Sequence, residues 1–141
     1  MRLCEKNLNV TKEINMSKQV IIADNAPKPV ARYSQGIRVG NTLYVQGVIA
    51  LDPQTKKMVE GAIDVQTERI FASIKAILEA GGMTLADVVK VTAFLANLED
   101  YPAFNTVYNR HFTADPAPVR TTVQAKPPLG ALVEIEVVAA Q

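Results

Sequence analysis

The stretch 116–139, "PAPVRTTVQAKPPLGALVEIEVVA", places one arginine and two glutamates in what otherwise reads as two apolar strands joined by a proline-glycine loop. Alternation along a strand puts Arg120, Thr122 and Gln124 on one face and Val119, Thr121 and Val123 on the other. In the next run, Glu134 and Glu136 share a face opposite Val133, Ile135 and Val137. With "KPPLG" (126–130) as a hairpin loop and Gln124 facing Gly130, Thr122 falls opposite Leu132 and Arg120 opposite Glu134. A slip of two residues would pair Arg120 with Glu136 instead. Periodicity by itself leaves two readings open: a cross-strand ion pair on a solvated face, or a site.

Upstream of this stretch the hydrophobic period alternates between that of strands and that of helices. A short strand is expected at "QVIIA" (19–23). A hairpin follows in "IRVGNTLYVQGVIA", with "VGN" between its two runs. Residues 51–61, with Pro53 and Gly61, read as a surface loop with a short strand near Met58. In "DVQTERIFASIKAILEAGG", Ile70, Ile74, Ile77 and Leu78 recur at helical spacing, with Asp64 as the expected N-cap and Gly81-Gly82 as the stop. Thr84 and Asp87 have the spacing of a capping box, and "VVKVTAFLANL" is β-branched enough to be a strand. Asp100 is the expected cap of a second helix, "YPAFNTVYNRHF". Pro102 lies in its first turn, and Phe104, Tyr108 and Phe112 line one side. Residues 117–125 and 131–139 complete the pattern as the last two strands.

The order ββ(β)αβαββ predicts an α+β fold: one sheet with two helices packed on one face. Two helices cover only that face, yet "LYVQGVIA", "VVKVTAFL" and "LVEIEVVAA" carry apolar residues at both parities. A homo-oligomer that buries the second face is therefore expected.

The chain has 141 residues, 48% of them hydrophobic and 21% charged, which suits one domain. Its formal net charge of +1 offers no basic stripe for phosphate backbones, so nucleic acid is a poor default partner. The single Cys4 cannot form an internal disulfide, which fits a reducing compartment. No apolar run approaches the roughly 20 residues of a membrane span, and "MRLCEKNLNVTKEIN" lacks the core of a secretory signal. Residues 1–15 read as a mobile extension ahead of a domain over 16–141, with Met16 as an alternative start. A cytoplasmic location is expected, with a mitochondrial one left open. There is no P-loop, dinucleotide fingerprint, CxxC pair or HExxH motif, so neither a metal nor an organic cofactor is called for.

The C-terminal stretch, together with "YSQG", "VQGVIA" and "FNTVYNRHF", resembles the RidA/YjgF reactive-intermediate deaminase family over residues 17–140. The resemblance implies a chorismate-mutase-like fold and a homotrimer with ligand clefts between subunits. It also implies hydrolysis of 2-imino acids, such as 2-iminopropanoate and 2-iminobutanoate, to 2-oxo acids and ammonia. It makes Arg120 the anchor of the substrate carboxylate, where a planar guanidinium matches a carboxylate fork. Glu134 would hold and deprotonate the attacking water, and Glu136 would be structural. Tyr33 would stand at the pocket mouth, and Gly47 would let backbone approach the ligand. Asn105 would come from the neighbouring subunit, and Thr122 would offer its backbone carbonyl to the water. Two departures bear on the pocket: Arg32 stands where relatives usually have proline, and Gln46 replaces a smaller residue and would narrow the cleft. Some members of the family are described as ribonucleases or translation inhibitors, which gives one alternative. Another is a small-carboxylate-binding or chaperone-like trimer without turnover. For RNA cleavage the sole histidine, His111, is expected to be a solvated or capping residue rather than a catalytic one.

Overall fold

The computed structural model describes residues 16–141, so the expectations for the extension and for Cys4 lie outside the described residues. The first strands are β1 (Gln19–Ile21), β2 (Gly36–Val39) and β3 (Thr42–Val48), paired antiparallel in sequence. The β2–β3 turn needs only Gly40 and Asn41, and Gly40 takes the positive φ of 58° that a tight hairpin asks of a residue without a side chain. In the loop that follows, Leu51 bridges to Met58, the small piece of strand expected there.

Helix α1 (Ile63–Ala80) buries Ile63, Ile70, Phe71, Ile74, Ile77 and Leu78. Its N-cap is Ala62, which makes no side-chain capping bond. Asp64 is therefore not the cap but a first-turn residue, where its charge complements the amino end of the helix. The stop is as expected: Gly82 turns to φ 77°, and the amides of Gly82 and Met83 return to the carbonyls of Glu79 and Leu78 at 2.9 and 2.8 Å. Thr84 and Asp87 form the predicted capping box around a 3-10 turn, with the Thr84 amide donating to Asp87 Oδ2 at 2.9 Å. Strand β4 (Val88–Leu95) follows, then α2 (Tyr101–His111). Asp100 occupies the position before α2 without a side-chain capping bond; it is Asn97 that accepts the Glu99 amide, at 2.9 Å, in the preceding turn. The last strands are β5 (Val119–Gln124) and β6 (Val133–Ala140).

The sheet order is β1-β2-β3-β6-β4-β5, and here one expectation fails. β5 and β6 do not form a hairpin. β5 pairs in parallel with β4, and β6 runs antiparallel between β3 and β4. The physical reason lies in the connection. α2 joins β4 to β5 as a helical crossover, which is what parallel neighbours require, and this leaves β5 at the sheet edge. β6 is apolar on nearly every second residue of one face and takes a central place, burying Val133, Ile135, Val137 and Ala139.

Both helices pack on that same face, as the sequence predicts. The core consists of Leu43, Val45, Val91, Ala93 and Leu95 of the sheet against Ile70, Phe71, Ile74, Phe104 and Val107 of the helices. The other face carries Tyr44, 52% exposed, paired with the partly buried Val138, and further along it the partly buried Phe94. No helix among the described residues is long and apolar enough to cross a membrane.

Candidate functional site

Arg120 projects from the edge strand toward the helices, because its register partner on β4 is the fully buried Val91. What meets it there is one stripe of α2. Tyr101, Phe104, Asn105 and Tyr108 recur at the three- and four-residue spacing that puts side chains on one side of a helix. Arg120 Nη1 donates to Asn105 Oδ1 at 2.8 Å, and Nη2 donates to the Tyr101 hydroxyl at 2.6 Å. The guanidinium carbon stands 4.5 Å from the ring centre of Tyr108, 5.5 Å from that of Tyr101 and 5.6 Å from that of Phe104. Cation–π attraction therefore holds the charge against an aromatic shelf. Burial raises the Tyr108 hydroxyl above its ordinary pKa, with the Arg120 charge pulling the other way, so the phenol stays neutral.

Among the described residues no acid pairs with this guanidinium. The ion pairs among the described residues are Lys28–Asp24, Arg110–Glu68 and His111–Glu68, and Arg120 belongs to none of them. Two residues along the same face of β5, the Thr122 hydroxyl oxygen is buried without a hydrogen-bond partner among the described residues. Gln124, the third residue of that face, accepts the Leu98 amide at 3.0 Å.

A second group of the predicted residues lies elsewhere. Tyr33, Gln46, Gly47 and Glu134 line one cavity of about 720 Å³, together with Tyr44 and Leu129. A bulge shapes its floor: the β3–β6 register jumps between Val45 and Val48, which leaves Gln46 and Gly47 as the irregular pair. The Glu134 carboxylate lies so close over Gly47 that a methyl group there would collide with Oε1. Burial, and then the charge of Glu136, hold the Glu134 carboxyl above the usual glutamate range. Gln46 lines the cavity, and its side-chain oxygen is buried without a partner among the described residues. Tyr33 is 49% exposed, and its hydroxyl accepts the Val30 amide at 3.3 Å.

The two groups do not meet within one chain. Glu134 pairs with Phe94 on the open face of the sheet, whereas Arg120 pairs with Val91 on the helix face. The predicted Arg120–Glu134 apposition is therefore incorrect. The alternative with Glu136 fails as well, since Glu136 pairs with Thr92 on the open face. Asn105, expected from a neighbouring subunit, is bonded to Arg120 of its own chain. Tyr101 and Tyr108, which also contact Arg120, are not among the residues the sequence singles out for the site. The signal was present in the i, i+4, i+7 series Tyr101, Asn105, Tyr108, which reads equally well as a core stripe. His111 is committed to structure: Nε2 lies 2.8 Å from Glu68 Oε2, and the ring stacks on Phe71 at 4.5 Å between centroids.

Fold and site together define an α+β protein with a mixed six-stranded sheet, two helices on one face, and, at the sheet edge, a guanidinium with no ion pair among the described residues. Residues 23–141 match the Endoribonuclease L-PSP family. A RutC family protein of Pyrococcus abyssi is 45% identical over 125 residues, spanning 88% of this chain and 98% of its own. A 2-iminobutanoate/2-iminopropanoate deaminase of Dermatophagoides farinae is 42% identical over 120 residues, spanning 84% and 93%. Among solved structures, RidA from the Antarctic bacterium Psychrobacter superposes with a TM-score of 0.83 at 41% identity, covering 87% of this chain and 99% of that one. Escherichia coli TdcF with bound serine superposes with a TM-score of 0.82 at 31% identity, covering 88% and 99%. The chain belongs to the Endoribonuclease L-PSP (YjgF/RidA) family.

Proposed function

We propose that the protein hydrolyses small 2-imino acids to 2-oxo acids and ammonia, at sites completed between the subunits of a cytoplasmic homotrimer. The observation that carries this reading is Arg120: a partly buried guanidinium, oriented by neutral partners and aromatic rings, with no carboxylate partner among the described residues. Such a group favours a small anion over water, and its planar fork suits a carboxylate. The deaminase name carried by a relative and the serine bound in TdcF agree with a small amino-acid-like ligand.

In this reading Arg120 and Asn105 of one subunit face Glu134, Gly47, Gln46 and Tyr33 of the next. With the substrate carboxylate on Arg120, water adds to the electrophilic iminium carbon. Glu134 takes the proton of that water as the C–O bond forms, and the C=N double bond becomes a single bond. Glu134 then returns the proton to nitrogen, and, ionised again, it takes the hydroxyl proton as the C–N bond breaks, the carbonyl forms and ammonia leaves. A carboxyl held above its usual range is better matched to this exchange near neutral pH than an ordinary one. Tyr33 borders the mouth, and the Thr122 carbonyl is a further contact for the water. Ribonuclease action has less support, since the sole histidine is bound to Glu68 and stacked on Phe71.

The test is imine decay timed with an amino-acid oxidase supplying the imine. Arg120→Ala is expected to lower kcat/KM by about a hundredfold, the size of a lost charge-assisted fork, while the oligomer persists. Wild-type turnover in that variant would exclude the assignment.

A further inference from the structure

The hydroxyl of Tyr101 does nothing for the helix that carries it. The ring packs near Phe104, 6.5 Å between centroids, and lies within cation–π reach of Arg120, contacts that phenylalanine would make equally well. What the oxygen adds is one short bond, accepted from Arg120 Nη2 at 2.6 Å. A phenol that accepts a hydrogen bond keeps its own hydrogen, and no acceptor for that hydrogen is found among the described residues. Accepting from a cation also polarises the O–H and strengthens it as a donor. Tyr101 is 36% exposed, so this donor stands at the rim of the guanidinium rather than beneath it.

We infer that Tyr101 is the second donor of the carboxylate anchor. Its oxygen steadies one end of the Arg120 fork, and its O–H donates to an oxygen of the acid bound there. The inference rests on the reading of Arg120 as a carboxylate anchor and adds the residue that sets its orientation and donor count. A guanidinium has five N–H donors, of which Asn105 takes one and Tyr101 another, so enough remain for a bidentate carboxylate. Each carboxylate oxygen has lone pairs to accept the phenol as well. The ligand class is a small 2-oxo or 2-imino acid, whose charge the phenol senses and whose chain it does not touch.

The experiment compares the full-length wild-type chain with Tyr101→Phe, which removes one oxygen and leaves the ring. Affinity for 2-oxobutanoate is measured by calorimetry, and kcat and KM by the coupled imine assay. The dissociation constant and KM are each expected to rise about tenfold, the effect of one hydrogen bond to a charged group, with kcat within about twofold. The melting temperature should stay where it is. Equal affinity in the two proteins would overturn the inference, and so would a fall in kcat at unchanged affinity. If the variant binds 2-oxobutanoate more weakly but neither protein hydrolyses imine, the anchor stands and the deaminase reading falls. If wild type turns imine over and the variant matches it in both constants, Tyr101 is a packing residue and the deaminase reading stands. A wild-type chain with no affinity for 2-oxobutanoate would sink both.

Discussion

Arg120 is held by rings and neutral oxygens, and that choice of partners decides its chemistry. A glutamate beside it, as the hairpin reading supposes, would satisfy the guanidinium and leave little drive to bind another anion. Asn105, Tyr101 and the Tyr108 ring orient the group without cancelling its charge. Glu134 is the complementary case, a carboxyl with no basic partner among the described residues, raised by burial and by Glu136. As a base it works only when ionised, so turnover should fall as pH drops through its pKa. Because burial raises that pKa, the acid limb should lie above the ordinary glutamate range. Replacing Glu134 by glutamine should slow kcat by about a hundredfold, flatten the acid limb of kcat against pH, and change 2-oxo acid affinity by less than about threefold. Unchanged turnover with weakened binding would reverse the role assigned to Glu134. Family resemblance singles out both residues, but their partners are not legible in the sequence, since partners depend on which strands pair.

The β3 bulge and the α2 crossover each place one part of the site. At the bulge, Gly47 gives the Glu134 carboxylate room that a methyl group would occupy. The obstructing atoms belong to the end of a flexible side chain, so the strand itself need not move when a methyl is added. Gly47→Ala should therefore fold with a melting temperature within a few degrees of wild type, a cost of about 1 kcal/mol or less, and lose at least about tenfold in kcat as the carboxylate is pushed aside. Thermal unfolding and the coupled assay on one preparation check both halves. A large drop in stability with turnover intact would show that Gly47 serves the strand alone. At the crossover, one stripe of α2 does two jobs: Phe104 and Tyr108 enter the core, while Tyr101 and Asn105 reach the edge strand. The stripe was readable from its period. That its end leads to Arg120 follows only from β5 lying parallel to β4.

For the assembled molecule, the question is what covers the open face of the sheet. Helices cover one side, and Tyr44, Phe94 and Val138 remain on the other, with Glu134 along the same face. Arg120 and Glu134 occupy opposite faces of one chain, so a site that uses both requires a second copy. Light scattering at micromolar concentration should give the mass of three chains. Val138→Asp, which plants a charge where the copies would meet, should reduce it to that of one chain, keep the far-ultraviolet dichroism, and abolish imine hydrolysis. A wild-type monomer with full turnover would contradict the shared site.

Local order along the chain carried the strands, the two helices, the Gly40 turn, the Gly82 stop and the Thr84–Asp87 box, because each depends on residues only a few positions apart. The parity that sorts Arg120 from Val119 and Glu134 from Val133 was likewise local. What required the folded chain was the order of the strands: β6 inserted between β3 and β4, and β5 placed at the edge. That order depends on which apolar faces gain most from burial and on the reach of α2, quantities summed over the whole chain. It is also what separated Arg120 from Glu134 and brought Tyr101 to the guanidinium.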